Sequence, residues 1–180
     1  MSNDLTNRLK DAIRTVPDFP IEGVMFRDIT PVLGEPGLVS SITDQFVEDL
    51  NQLGWRPDVI VGPEARGFIF GPLLADRLGC GFVPVRKPGK LPAPSHSVEY
   101  SLEYGSNTLE MHEDAIEPGQ TAIIIDDLLA TGGTISACAS LCEESEAIVL
   151  GALFVIELEG LGARDHIAPV EAHSLITYPA

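Results

Sequence analysis

The sequence predicts an α/β fold with a parallel-rich central sheet and helices on both of its faces. Two observations carry that prediction. Apolar, β-branched runs such as Val59-Ile60-Val61 and Ile123-Ile124-Ile125 have the unbroken hydrophobicity of strands covered on both sides. Segments of helical periodicity lie between such runs through much of the chain, so that strands alternate with helices.

In order, residues 4–16 carry Leu5, Leu9, Ala12, Ile13 and Val16 at helical spacing, with Asn3 or Asp4 free to cap them. Pro17 and Pro20 break this helix and lead into Met25-Phe26-Arg27-Asp28. A second helix is predicted from Pro36, a good first-turn residue, through Leu50. Residues 58–61 read as a short buried strand ending at Gly62-Pro63, 67–78 as a helix and 82–85 as a strand. Residues 87–98 have loop composition and a length that suits a lid. Residues 98–103 and 107–113 can pair as a hairpin around Tyr104-Gly105-Ser106. Pro118-Gly119 turns the chain into the strand 122–125; 134–142 reads as a helix, 147–156 as a buried strand and 173–178 as an edge strand. No repeat or internal boundary interrupts residues 1–180, which suit one domain.

Composition narrows the function. With 44% hydrophobic and 21% charged residues the chain falls among ordinary soluble proteins. It has no signal-like start and no membrane-length apolar run, so a cytoplasmic home is expected. Cys80, Cys138 and Cys142 form neither a disulfide framework nor a zinc pattern. A net charge of -16 argues against nucleic-acid or anionic-membrane partners, whose phosphates demand basic surface. Yet Arg27, Arg66, Arg86, Lys87 and Lys90 sit in or beside loops marked by glycine and proline. An acidic chain that keeps its few cations there is suited to a small anionic ligand.

The stretch Ile123 to Thr134 is the most informative. It reads as a buried strand, two acids, a glycine-rich loop with flanking threonines, then the start of a helix. Ligands of open α/β sheets bind beyond the carboxyl ends of the strands. A tight loop at a helix N-terminus aims backbone N–H groups at an anion. Gly132 and Gly133 let the chain approach a phosphate, and the Thr131 and Thr134 hydroxyls add donors. Asp126 and Asp127 suit the hydroxyls of a phosphorylated sugar better than a bare phosphate. Other phosphate and metal motifs fail: no lysine follows these glycines, no G-x-G-x-x-G follows a strand, and no H-E-x-x-H is present.

The run Asp126-Asp127-Leu128-Leu129-Ala130-Thr131-Gly132-Gly133-Thr134 resembles the phosphoribosyl pyrophosphate (PRPP) motif of type I phosphoribosyltransferases. Three further segments resemble the adenine-specific branch of that family. They are Pro17-Asp18-Phe19-Pro20 with Gly23 to Pro31, Arg66 to Pro72, and Arg86 to Pro92 followed by Tyr100 to Gly105. The resemblance runs in order from about residue 8 to the C-terminus.

It implies the type I phosphoribosyltransferase fold, with a small hood and a flexible lid loop or hairpin. It implies purine salvage: the 5-phosphoribosyl group of PRPP passes to adenine, giving AMP and pyrophosphate. Asp126, Asp127 and Ala130 to Thr134 would hold the phosphoribosyl group. Met25, Phe26 and Arg27 would border adenine, with Phe26 stacked on the ring and Leu158 covering its other face. Glu64-Ala65-Arg66 would hold pyrophosphate, frequently through a non-proline cis peptide in this family, and Arg66 would stabilise its developing charge. Arg86, Lys87 and Lys90 would add cations, toward this site or a partner subunit's in a homodimer. Glu103, as proton acceptor, and Tyr104 would ride on the lid 87–105. Mg²⁺ is the implied cofactor, held mainly by substrate and water with no direct protein ligand. The chain departs from the family's common Asp-Ser at Glu64-Ala65, which removes any role for that serine's side chain. A sister enzyme for hypoxanthine or xanthine, a PRPP-sensing regulator and a nucleotide-binding scaffold remain as other readings.

Overall fold

The computed structural model describes residues 3–101 and 106–180. The chain runs through α1 (Asn3–Ala12), β1 (Arg14–Pro17), β2 (Met25–Asp28), α2 (Thr30–Gly34), α3 (Leu38–Leu53), β3 (Val59–Pro63) and α4 (Gly67–Leu78). It continues through β4 (Gly81–Val85), β5 (Ser95–Ser101), β6 (Ser106–His112), β7 (Thr121–Leu129), α5 (Gly133–Glu144), β8 (Ile148–Glu159), α6 (Ala163–His166) and β9 (Ala172–Pro179). The central sheet has the order β4-β3-β7-β8-β9, and every pairing in it is parallel.

The pleat sorts the apolar runs into two layers. Ile60, Ile123, Ile125, Leu153 and Val155 face a layer containing Leu5 and Leu9 of α1, Ile42 and Phe46 of α3, and Phe70 and Leu74 of α4. Val61, Ala122, Ile124, Ala152 and Phe154 face Ile135, Cys138 and Leu141 of α5, with Leu109 and Met111 of β6. Burying a side chain such as Phe46 stabilises the fold by about 2–3 kcal/mol. Both faces are therefore covered, as the unbroken strand hydrophobicity predicts.

Several predicted boundaries move, each for a local reason. The first helix stops at Ala12, because Arg14–Pro17 pairs antiparallel with Met25–Asp28 to form a two-stranded hood. The second starts at Leu38 rather than Pro36, after Gly37 takes a left-handed φ of 81°. The five-residue α2, too short for periodicity to reveal, starts where Asp28 Oδ1 accepts from Thr30 N at 2.8 Å and Pro31 fills the first turn. The hairpin begins at Ser95, earlier than predicted, and Ser101 pairs with Ser106. The largest correction concerns β7: it runs through Leu129, so Asp126 and Asp127 belong to the strand and not to the loop after it.

Candidate active site

Strand order reverses between β3 and β7: the chain passes from β3 outward to β4, and from β7 outward the other way to β8 and β9. The carboxyl ends of these two strands flank the crevice where such sheets bind ligands. From β3 the chain continues into Glu64-Ala65-Arg66, joined by a cis Glu64–Ala65 peptide. From β7 it passes Ala130 and Thr131 into the N-terminus of α5. Gly132 caps this helix with a φ of 89°, where a side chain is strained. A Cβ there would also meet Ile167 Cγ2 at 2.8 Å, so packing against the chain after α6 requires glycine as much as any phosphate does. His166 Nδ1 donates to Thr131 O at 2.9 Å and fixes the same loop.

Because the acids lie in a pleated strand, they point to opposite faces. Asp127 lines a cavity of about 480 Å³ shared with Phe26, Arg27, Ile69 and Leu128. Asp126 lines a cleft of about 370 Å³ with Glu64, Ala65, Lys87, Tyr100 and Thr134. It also lines a smaller space of about 150 Å³ bounded by Ala130 to Thr134. Arg66 borders all three and joins them into one site.

Charge is arranged around that junction. Arg66 Nε lies 2.6 Å from Asp127 Oδ2, while Asp127 Oδ1 is buried without a partner among the described residues. Burial, reinforced by the neighbouring Asp127 charge, pushes the Asp126 carboxyl well above the usual range, although it accepts from Asp127 N at 2.9 Å. Burial works against the Arg66 cation, but the charge and hydrogen bond of Asp127 outweigh it and hold the Arg66 pKa high.

On the hood side, Phe26 meets Phe19 edge-on at 5.1 Å. The Arg27 guanidinium lies over the Tyr178 ring at 4.2 Å, and its Nη1 donates to Thr15 Oγ1 at 2.5 Å. Arg27 Nε is buried and unpartnered among the described residues. A cavity lined by Phe19, Phe26 and Leu128 thus meets, at Arg66, the space bounded by Ala130 to Thr134.

The phosphoribosyl transferase domain model matches residues 35–169 of this chain. Over 170 residues the chain is 54% identical to the adenine phosphoribosyltransferase of Synechococcus sp., covering 94% of this chain and 98% of that protein. The chain belongs to the adenine phosphoribosyltransferase family. The crystal structure of the family member from Thermoanaerobacter pseudethanolicus superposes with a TM-score of 0.92 at 49% identity, covering 96% of this chain and 99% of that one. The Saccharomyces cerevisiae member, complexed with D-2,5-dideoxy-2,5-imino-altritol 1,6-bisphosphate and adenine, gives a TM-score of 0.93 at 41% identity, covering 97% and 100%.

Not every residue that the family resemblance nominated shares this site. Leu158 lines a neighbouring cleft with Glu157 and Arg164, and the sheet's apolar contribution to the Phe26 cavity comes from Leu128 instead. Met25, paired with Pro17, is exposed and does not line the cavity. Arg86 and Lys90 do not line the Lys87 cleft, but both are bonded to Glu64, which does. Glu103 and Tyr104 lie outside the described residues. Sequence reasoning missed Asp28, Tyr100 and His166. Tyr100, whose OH is 3.4 Å from Thr134 Oγ1, stood within a resembling segment, whereas His166 gave no signal, being 35 residues from its partner.

Proposed function

We propose that this protein transfers the 5-phosphoribosyl group of PRPP to adenine, releasing AMP and pyrophosphate. The single observation that carries this reading is the junction at Arg66, where an aromatic cavity, a glycine-capped helix N-terminus and a charged cleft meet. The Phe26 cavity takes the purine, with the free Arg27 Nε as an edge donor. Ala130 to Thr134 take the 5′-phosphate through backbone N–H groups and hydroxyls. The unpartnered Asp127 Oδ1 is suited to accept from a ribose hydroxyl. Arg66 and Lys87, which line the cleft, stabilise the charge that develops as pyrophosphate leaves, while Arg86 and Lys90 stand beside it bonded to Glu64.

Among the described residues no three His, Cys, Asp or Glu side chains cluster for a metal. The donors present suit an ion that keeps water and substrate oxygens, as Mg²⁺ does, with Asp127 Oδ1 able to accept from its water. Bound with the diphosphate, Mg²⁺ would offset its charge. Glu103 is assigned the proton that adenine loses, and Tyr104 a place beside it. A homodimer and a cytoplasmic home complete the proposal; among the described residues no helix is long and apolar enough to cross a membrane.

The test supplies radiolabelled adenine, PRPP and Mg²⁺ and separates the products for AMP. Adenine should exceed hypoxanthine by about a hundredfold in kcat/KM, because a polar edge built for one base is left unpaired by the other. Equal rates would favour the sister enzyme, and PRPP binding without turnover the regulator.

A further inference from the structure

Glu64 opens the loop after β3, and its side chain is only 8% exposed. Its Oε2 accepts from Arg86 Nε at 2.5 Å, and its Oε1 accepts from Lys90 Nζ at 2.6 Å. One carboxylate thus engages two of the three cations in segment 86–90. Burial pushes the Glu64 carboxyl up, but the Arg86 and Lys90 hydrogen bonds outweigh it and hold the group below its ordinary value. It is therefore an anion at neutral pH.

Its partners are held in position. The Arg86 backbone exchanges two hydrogen bonds of 2.8 Å with Glu110, and its guanidinium lies 5.6 Å from the Phe68 ring centroid. Glu110 also accepts from Gly89 N at 3.0 Å, which fixes the turn before Lys90. Lys87, between Arg86 and Lys90 in sequence, makes no ion pair among the described residues and lines the cleft with Ala65 and Arg66. The cations around the cleft are thus of two kinds. Lys87 is open to a ligand, whereas Arg86 and Lys90 already hold an internal anion.

We infer that Glu64 is a positioning residue that occupies Arg86 and Lys90 in place of diphosphate oxygens, so that a bound diphosphate must compete with it. This rests on the proposed function and assigns its site an internal competitor. The competitor weakens pyrophosphate binding and so favours its release, while the two cations stay gathered at the cleft. An interaction that weakens in this way acts on ground-state binding, and AMP, which has no diphosphate, is untouched by it.

Calorimetry with magnesium pyrophosphate and, separately, AMP tests this on the full chain. Glu64→Gln keeps the side chain's size and removes its charge. It should tighten pyrophosphate binding by about tenfold at low salt, with a smaller gain at high salt, and change AMP affinity by less than about twofold. Lys90→Met should cost pyrophosphate affinity less than about twofold in the otherwise unaltered protein but about tenfold beside Glu64→Gln. Unchanged or weaker pyrophosphate binding in Glu64→Gln overturns the inference. So does a tenfold loss from Lys90→Met alone, a measurement that does not require the Glu64 variant to fold. Binding of neither ligand by the unaltered protein would overturn the proposed function as well; binding of both with no gain would overturn this inference alone.

Discussion

The crevice at the carboxyl end of the sheet and the N-terminal hood meet at Arg66, yet they are built on opposite terms. The crevice takes Asp126 and Asp127 from β7, a strand hydrogen-bonded on both sides, and Glu64 from the loop after β3. Asp127 and Glu64 are enclosed, 4% and 8% exposed, and each is paired with a cation. The hood is a ribbon in which β1 pairs with β2 alone, a marginal structure without outside support. Phe19 and Met25 stand 51% and 45% exposed on it, and an exposed Arg14–Asp28 pair at 2.5 Å fastens its strands. The proposed function accounts for the contrast. Stabilising charge needs dipoles and ions that do not relax, so it belongs on the sheet. A flat ring needs only surface, and a softer platform can supply it.

The sharpest way to break this comparison is Asp127→Ala. It removes the unpartnered carboxylate oxygen assigned to a ribose hydroxyl, and a hydrogen bond to a charged group contributes about 1.5–3 kcal/mol, so PRPP affinity should fall by up to about a hundredfold. Calorimetry with PRPP and Mg²⁺ reads it, and unchanged affinity would remove the crevice from the chemistry. Next comes Glu103→Gln, on the segment assigned to cover both regions. A positioned base contributes roughly 10²–10⁴-fold, and the purine proton is acidic enough to favour the low end, so kcat should fall by about tenfold to a hundredfold. Single-turnover rates separate this from slow product release, and a wild-type rate would make Glu103 a bystander. In the hood, Phe26→Ala should raise the KM for adenine by about tenfold while PRPP affinity holds, because base–aromatic stacking contributes about 1–3 kcal/mol. Equal losses for both substrates would show that the two regions are not separable.

The smallest effect is one of pH. Hydrogen bonds from Thr30, then the Arg14 pair, lower the Asp28 pKa from 3.8 to about 2. A depressed carboxylate contributes stability that is fully present above its unfolded pKa and is lost as pH falls through the folded one. The difference in Tm between the unaltered protein and Asp28→Asn should therefore be constant above about pH 5, shrink as pH falls below about 4 and disappear only as pH falls through about 2. A difference that stays undiminished down to about pH 2 would mean that charge does not fasten the hood.

How much of this was legible in the sequence depended on distance along the chain. Residues 126–134 spell out acids, loop and helix start in one run, and the buried strands announced themselves as apolar, β-branched segments covered on both faces. The Arg66 and Arg86-to-Lys90 segments stood out because cations were few and sat in loops. The extent of β7 was not legible: two acids after an apolar run look like a strand's end, and only pairing of Asp126 with Phe154 and Leu128 with Ile156 keeps them in the sheet. That pairing sends adjacent carboxylates to opposite faces, a division no local pattern encodes. The hood likewise overrode helical periodicity at Arg14, because antiparallel pairing with Asp28 is a contact 14 residues away. Sequence by itself determined the fold class and the anion loop, since both rest on side chains acting on their near neighbours. Tertiary structure alone decided which face each acid serves, that Leu128 and not Leu158 lines the aromatic cavity, and that Glu64 reaches Arg86 and Lys90. Those depend on strand register and on loops brought together across the sheet.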